Sequence, residues 1–475
     1  ILGISDDDQY LTYSKNVAGS DWQELHVMEI ATKKELPDVL KWVKFSGTAW
    51  YKNGFFYSRY PEASQEEKLS GQNQNHMVYY HRLGEDQSQD QLIYQDAENP
   101  EMILSSNVTE DEKYLILYAA PGTDGFATLY KDLENDGPIT TLFDGYKNKS
   151  SVVHHLGSGR MLVQTDLDAP NYRLIEVDVN NPAPENWREI IPESENLLQT
   201  VSTGSGKLFA NYLVKATDRY YQMNYDGSEQ REIELPGLGS AGGLGGEADD
   251  DVLFYSFTSF VYPNTVFKYD PKTGESEAFF ESELKFDPED YVEKQVTYNS
   301  KDGTPVTMFV VHQKGLELDG KNPAYLYGYG GFNVSLSPGF SASRMILLEN
   351  GGVFAMPNLR GGGEYGEAWH RAGMLEKKQN VFDDFIAAAE YLIAEEYTSS
   401  DKLAIAGGSN GGLLVGAPMR QRPDLFAVAF PAVGVLDMLR FHKFTIGKAW
   451  VPEYGSSDDP EQFRYLIRYS PLHNL

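Results

Sequence analysis

The chain has 475 residues, of which 41% are hydrophobic and 13% aromatic, so it is long enough for two or more domains with large cores. Its formal net charge of −30 argues against a nucleic-acid partner, because phosphate binding needs clustered Lys and Arg. The absence of cysteine excludes disulfides, cysteine-ligated zinc and thiol catalysis, and the absence of any run of 18 apolar residues argues against a transmembrane helix.

The apolar stretch at the start, Ile1–Ile4, is too short for a signal peptide and is followed at once by polar residues. No initiating Met is present, so we expect the true start, with any signal, to precede Ile1. Our expectation is a cytoplasmic protein, with a periplasmic or secreted location left open.

The first 283 residues have an all-β pattern that repeats about every 45 residues. A turn followed by an alternating strand recurs six times, and the steps between these strands are 45, 59, 47, 47 and 44 residues. The positions from which the steps are counted are Tyr10, Phe55, Tyr114, Met161, Leu208 and Val252. The long step contains a mostly polar insert at residues 62–75. This period predicts β-propeller blades, since one four-stranded blade cannot bury both of its faces alone. A pair of β-sandwich sheets is the alternative, but it would not keep so regular a period.

The pattern changes near residue 284, where strands begin to alternate with helices. A hairpin is predicted from 291–299 and 304–312, followed by buried strands at 324–327, 352–356, 403–406 and 426–431. A helix is predicted from Gln379 to Glu395, because Phe382, Phe385, Ala389 and Leu392 share one face. Alternating β and α elements predict a mostly parallel sheet covered by helices. We therefore divide the chain into a propeller, residues 1–283, and an α/β domain, residues 284–475.

The most informative motif is the Gly-Gly-Ser-Asn-Gly-Gly segment at 407–412. It lies between the strand at 403–406 and a helical pattern that continues at Leu413, and Gly-x-Ser-x-Gly at such a turn is the nucleophile elbow of α/β-hydrolases. Side chains at Gly407 and Gly411 would clash with neighbouring backbone in so tight a turn. Ser409 is therefore the candidate nucleophile, and the alternative is an ordinary Gly/Ser loop.

A serine nucleophile of this fold needs an acid and a histidine that follow it along the chain. The histidines after Ser409 are His442, early after the elbow, and His473, beside a proline. We interpret both as structural, and we expect the general base and its orienting acid to lie beyond Leu475.

A Gly-rich loop at 328–332 follows the strand at 324–327. Taken together, the elbow, the propeller repeat and this loop make the chain resemble the prolyl oligopeptidase family of serine peptidases over nearly its whole length. The similarity is densest in four segments, which are 327–333, 358–366, 407–412 and 441–450. The resemblance implies a seven-bladed propeller with an α/β-hydrolase domain, so that the first blade is expected before Ile1.

The resemblance also assigns roles at the catalytic centre. Ser409 matches the nucleophile, and the backbone N–H of Asn410 and the hydroxyl of Tyr329 match the oxyanion hole. Two fixed donors at the former carbonyl oxygen would stabilise the charge of the tetrahedral intermediate. From the residues alone, Tyr329 could equally be an aromatic side chain that packs in a loop.

The implied proline pocket is apolar and flat. Trp450 matches the indole that stacks on the proline ring, Phe332, Val435 and Tyr454 match other pocket residues, and the Asn410 side chain matches a contact to the substrate backbone. Read without the resemblance, each would more often be ordinary core. A propeller arginine of better-known members is not matched.

The sequence therefore predicts a serine endopeptidase that cleaves short peptides after proline through an acyl-enzyme at Ser409. Short proline-containing peptides are the expected partners, with no nucleic acid and no membrane, and we expect a monomer. No cofactor or metal is implied. The alternatives are a related oligopeptidase of other specificity, such as an oligopeptidase B-like or acylaminoacyl-peptidase-like enzyme, and a catalytically dead propeller–hydrolase that only binds.

Overall fold

The computed structural model describes residues 1–16, 21–62, 64 and 71–474. Half of the polar insert predicted at 62–75 lies outside these residues. Among the described residues, no helix is both long and apolar enough to cross a membrane.

The described part of the first 283 residues forms six four-stranded sheets, each built from strands paired in chain order. The first sheet contains β1 (Gly3–Ile4), β2 (Tyr10–Asn16), β3 (Gln23–Glu29) and β4 (Lys34–Val43). The second contains β5 (Thr48–Tyr51), β6 (Gly54–Arg59), β7 (Met77–Arg82) and β8 (Gln91–Gln95). The third contains β9 (Ile103–Val108), β10 (Tyr114–Ala120), β11 (Ala127–Asp132) and β12 (Thr140–Phe143). The fourth sheet contains β13 (Ser150–Gly157), β14 (Arg160–Thr165), β15 (Arg173–Asp178) and β16 (Arg188–Ile191). The fifth contains β17 (Leu197–Gly204), β18 (Lys207–Val214), β19 (Thr217–Met223) and β20 (Arg231–Ile233). The sixth contains β21 (Ser240–Gly245), β22 (Leu253–Thr258), β23 (Thr265–Tyr269) and β24 (Ser276–Phe280).

The six predicted strand patterns coincide with β2, β6, β10, β14, β18 and β22, the second strand of each sheet. Val252 alone falls one residue before its strand. Neighbouring sheets share apolar cores. Phe56 of the second sheet and Leu117 of the third belong to the same buried cluster. The second sheet also shares a core with the first, through Phe55 and Leu25. A sheet buried on both faces by its neighbours is what a propeller requires, and it excludes the β-sandwich alternative.

The rest of the chain forms a six-stranded mixed sheet in the order β25-β26-β28-β27-β29-β30. Its strands are β25 (Tyr291–Asn299), β26 (Pro305–Gln313), β27 (Ala324–Tyr327), β28 (Val353–Pro357), β29 (Leu403–Gly408) and β30 (Val428–Ala432). The pairs β25–β26 and β26–β28 are antiparallel. The pairs β28–β27, β27–β29 and β29–β30 are parallel. The predicted hairpin and all four later strands are present, with shifts of one or two residues at several ends.

Helices accompany this sheet. They are α1 (Ala342–Glu349), α2 (Glu367–Arg371), α3 (Gln379–Ala394), α4 (Asn410–Gly416), α5 (Pro418–Gln421), α6 (Val451–Tyr454) and α7 (Pro460–Tyr469). Short 3₁₀ turns lie at Gln87–Gln89, Pro184–Asn186, Pro288–Asp290, Leu375–Lys377, Pro423–Leu425, Phe441–Lys443, Gly447–Trp450 and Pro471–His473. The apolar face predicted for α3 is fully buried, since Phe382, Phe385, Ala389 and Leu392 are 0% exposed.

Contacts divide the chain into two compact units. One consists of Ile1–Leu167, Ile175–Arg188 and Phe441–Pro452, and the other of Asp168–Leu174, Glu189–Arg440 and Glu453–Leu475. The second unit contains the mixed sheet and Ser409. The division into domains at residues 283 and 284 remains a prediction.

Candidate active site

Ser409 occupies the sharp turn between β29 and α4. Its backbone has φ 58° and ψ −116°, a conformation that L-residues rarely adopt, and its side chain is exposed. The Ser409 N–H donates to the carbonyl of Ala432 in β30 (3.0 Å), and its carbonyl accepts from the N–H of Gly412 (2.9 Å). The strand before, the helix after and these two hydrogen bonds hold the hydroxyl out from the end of the sheet, as the elbow motif predicts.

The glycines of the motif are needed for space. A Cβ at Gly407 would lie 2.3 Å from the Gly411 carbonyl oxygen and 2.8 Å from that of Gly328. A Cβ at Gly411 would lie 2.7 Å from the same Gly328 oxygen. Gly408 differs, because its nearest neighbour would be 3.9 Å away. The predicted clash at Gly407 and Gly411 is therefore confirmed, and Gly412 is equally tight, since its Cβ would lie 2.5 Å from Gly434 Cα.

Tyr329 lies in the loop after β27, near the Ser409 side chain. Burial raises the pKa of Tyr329 above its ordinary value, and the neighbouring Ser409 side chain opposes this only partly. The phenol therefore stays protonated at neutral pH and can donate a hydrogen bond. The N–H of Asn410 is the first of helix α4, so it has no intrahelical acceptor. Two donors thus lie beside the candidate nucleophile.

The Asn410 side chain is 1% exposed and is engaged within the protein. Its amide donates to the Tyr329 carbonyl (2.6 Å), and its oxygen accepts from the Tyr454 hydroxyl (2.9 Å). These bonds brace the loop that carries Tyr329. A direct contact between the Asn410 side chain and a substrate remains a prediction.

Of the predicted pocket residues, Phe332 and Tyr454 pack edge to face, with ring centroids 5.3 Å apart. Tyr454 is fully buried and Phe332 is half-buried. Val435 is half-buried and follows Gly434, whose backbone lies against Gly412 of α4. Phe332 and Tyr454 are therefore in contact with each other, and the Tyr454 hydroxyl reaches Asn410. A shared pocket that includes Val435 remains a prediction.

Trp450 belongs to the other compact unit. There its ring stacks on Phe441, with centroids 6.4 Å apart and an interplanar angle of 17°. Its contact with a proline ring remains a prediction.

The two histidines after Ser409 make local contacts. His442 is 6% exposed and its ring packs on that of Phe441. A ring nitrogen of His473 is 2.8 Å from the Ser470 hydroxyl. Both contacts agree with the structural roles that we expected.

Sequence reasoning missed a buried group of charged residues behind the Tyr329 loop. Glu453, His370 and Lys378 are each 1% exposed, and a Glu453 oxygen is 2.9 Å from His370 Nε2. The other oxygen is 3.4 Å from Lys378 Nζ. One signal was available, because Lys378 is four residues before Phe382 and so shares the apolar face of α3. A lysine on that face needs a buried partner.

Two family models match the chain. The model for the prolyl oligopeptidase N-terminal β-propeller domain covers residues 2–282, and the model for the prolyl oligopeptidase family covers residues 338–475.

Curated relatives and solved structures agree with these models. The chain is 47% identical to a prolyl endopeptidase of Elizabethkingia miricola, over 98% of this chain and 66% of the relative. It is 37% identical to a prolyl endopeptidase of Dictyostelium discoideum, over 99% of this chain and 69% of the relative. A prolyl endopeptidase structure superposes with a TM-score of 0.94 at 41% identity, covering 100% of this chain and 70% of the other. Prolyl oligopeptidase B of Galerina marginata, bound to a 25mer macrocyclization substrate, superposes with a TM-score of 0.93 at 35% identity, covering 100% of this chain and 69% of the other. The chain thus spans about two thirds of the length of these proteins.

Proposed function

Because this chain belongs to the prolyl oligopeptidase family, we propose that the full-length protein is a serine endopeptidase that cleaves short peptides on the carboxyl side of proline. The observation that carries the proposal is Ser409, which is exposed on a strained elbow between β29 and α4.

The reaction proceeds in two steps. Ser409 Oγ attacks the carbonyl carbon of the proline residue, and a general base takes the Oγ proton. The C–N bond then breaks, the proton passes to the leaving amine, and an acyl-enzyme remains on Ser409. A water molecule attacks the acyl carbon, gives a proton to the same base, and releases the peptide acid as the proton returns to Ser409.

The oxyanion hole accounts for much of the rate in this scheme. Charge develops on the former carbonyl oxygen, and the Tyr329 hydroxyl and the Asn410 N–H are the proposed donors. Loss of one such donor costs about 3–4 kcal/mol of barrier stabilisation. Phe332, Val435, Trp450 and Tyr454 are the proposed pocket for the proline ring, and the Asn410 side chain is the proposed contact to the substrate backbone.

The test compares the full-length protein with its Ser409→Ala variant on matched reporter amides that end in X-Pro or X-Arg. We expect cleavage of the proline reporter, and a loss of about 10³-fold or more in kcat for Ser409→Ala. Ser343→Ala is the matched control, because Ser343 is an exposed serine in α1. Equal turnover by Ser409→Ala would refute the nucleophile. A preference for the arginine reporter would favour an oligopeptidase B-like specificity instead.

Short peptides containing proline are the proposed partners of the full-length protein. A monomeric state and a cytoplasmic location remain predictions.

A further inference from the structure

The loop that carries Tyr329 has an unfavourable backbone. Gly330, Phe332 and Asn333 all have positive φ, at 63°, 57° and 57°. Glycine adopts this conformation freely, but a bulky residue such as Phe332 does so only when its surroundings enforce it. The position of the Tyr329 hydroxyl therefore depends on the contacts that hold this loop.

Three hydrogen bonds hold the loop from the protein side. Lys378 Nζ donates to the Gly330 carbonyl (2.9 Å), and the Asn410 amide donates to the Tyr329 carbonyl (2.6 Å). The Asn333 N–H donates to the Gly361 carbonyl (3.2 Å). One of the three therefore comes from Lys378, which forms a buried ion pair with Glu453 (3.4 Å).

The ion pair is part of a larger buried set of charges. Glu453 binds Lys378 with one oxygen and His370 with the other. The second ring nitrogen of His370 is 3.3 Å from Glu367, which also contacts Arg371 (2.9 Å). Each carboxylate thus lies between two basic groups.

The environment favours the charged forms of Glu453 and His370 and disfavours that of Lys378. Burial opposes the charge of Glu453, but Lys378 and His370 outweigh it, so the pKa of Glu453 is lowered. Burial also opposes the charge of His370, but Glu367 and Glu453 outweigh it, and the pKa of His370 is raised. Burial lowers the pKa of Lys378, and Glu453 opposes that shift.

We propose that Glu453 is a positioning residue for the oxyanion hole, which orients the Tyr329 hydroxyl by fixing Lys378, the donor to the Gly330 carbonyl. The inference rests on the proposed function, because it concerns the same catalytic centre. Glu453 acts through the loop, and the Tyr329 hydroxyl is the group that contacts the reacting oxygen.

The substitution Glu453→Gln tests this in the full-length protein. Glutamine has nearly the same shape, but it leaves Lys378 without a counter-charge and His370 with Glu367 alone. We expect kcat for a proline reporter to fall about 10- to 100-fold, with KM within about twofold, because the oxyanion hole acts mainly in the transition state. Lys378→Met removes the donor to the Gly330 carbonyl, so it should also lower kcat while KM stays nearly unchanged. This second variant replaces Glu453→Gln as the test if Glu453→Gln does not fold.

A double-mutant cycle with Tyr329→Phe separates positioning from general damage. If Glu453 acts through the Tyr329 hydroxyl, Glu453→Gln should lower kcat by less than about threefold once that hydroxyl is gone. The matched control is Asp38→Asn, because the Asp38 side chain is 0% exposed and pairs with buried His81 (3.0 Å) in the first compact unit. This control should lower the midpoint of denaturant unfolding and leave kcat unchanged.

Two results would overturn the inference. One is a wild-type kcat in folded Glu453→Gln and Lys378→Met, and the other is an undiminished effect of Glu453→Gln in the Tyr329→Phe background. Failure of the proposed function looks different, since the wild-type protein itself would then show no cleavage of proline peptides that depends on Ser409.

Discussion

A single methyl group at Gly407 should disable the catalytic centre. In Gly407→Ala the added Cβ would lie 2.3 Å from the Gly411 carbonyl oxygen, whereas ordinary contact begins at 3.4 Å. Both atoms are fixed to the main chain, so the elbow must open by about 1 Å, and a misplacement of about 1 Å costs roughly 100-fold in rate. Overpacking of this kind also destabilises the fold by about 1–3 kcal/mol.

The neighbouring glycine supplies the matched control. Gly408→Ala adds the same methyl group, but its nearest neighbour would be the Ala432 carbonyl at 3.9 Å. We expect kcat/KM for a proline reporter to fall about 100-fold in Gly407→Ala and less than about threefold in Gly408→Ala. Denaturant unfolding confirms that both variants are folded under assay conditions. Equal activity of the two variants would show that the close approach at Gly407 does not set the position of Ser409.

Three further variants test separate features of the account. Tyr329→Phe should lower kcat by about 100-fold or more with little change in KM, because the hydroxyl is needed mainly in the transition state, and a change confined to KM would contradict this. Trp450→Ala should lower kcat/KM for a proline reporter about tenfold while the X-Arg reporter changes little, through the loss of ring stacking, and an unchanged proline preference would remove Trp450 from the pocket. Glu364→Gln tests a buried carboxyl whose pKa burial raises to about 7 from 4.5. Its stabilising contribution is complete below pH 4.5 and lost as pH rises through 7, so the variant should gain about 3 kcal/mol relative to wild type between pH 4 and pH 8. A stability difference that does not change with pH would contradict it.

Local patterns in the sequence predicted most of the framework. The strand at Ala324–Tyr327 and the helix from Gln379 were predicted almost residue for residue, because an apolar run between turns and a 3.6-residue period each permit few alternatives. The elbow could be predicted because Gly-x-Ser-x-Gly between a strand and a helix is a local signature, and at Gly407 the closest clash is with the Gly411 carbonyl four residues away.

The support of the oxyanion hole was not predictable in this way. Glu453 meets Lys378 across 75 residues of chain, and neither residue lies in a motif that requires the other. The sequence also contained no signal for the bonds of the Asn410 side chain to Tyr329 and Tyr454. Such pairings arise from tertiary packing, which a period or a turn signature does not encode.

Covalent labelling of Ser409 tests the central claim most directly. A fluorophosphonate reacts with an activated serine by forming an Oγ–phosphorus bond with loss of fluoride, and peptide mass spectrometry of the treated full-length protein locates the adduct. We predict a single adduct on Ser409, which forms in parallel with the loss of proline-reporter cleavage and is absent from Ser409→Ala. An adduct on another residue, or full cleavage activity after Ser409 has been labelled, would contradict the account.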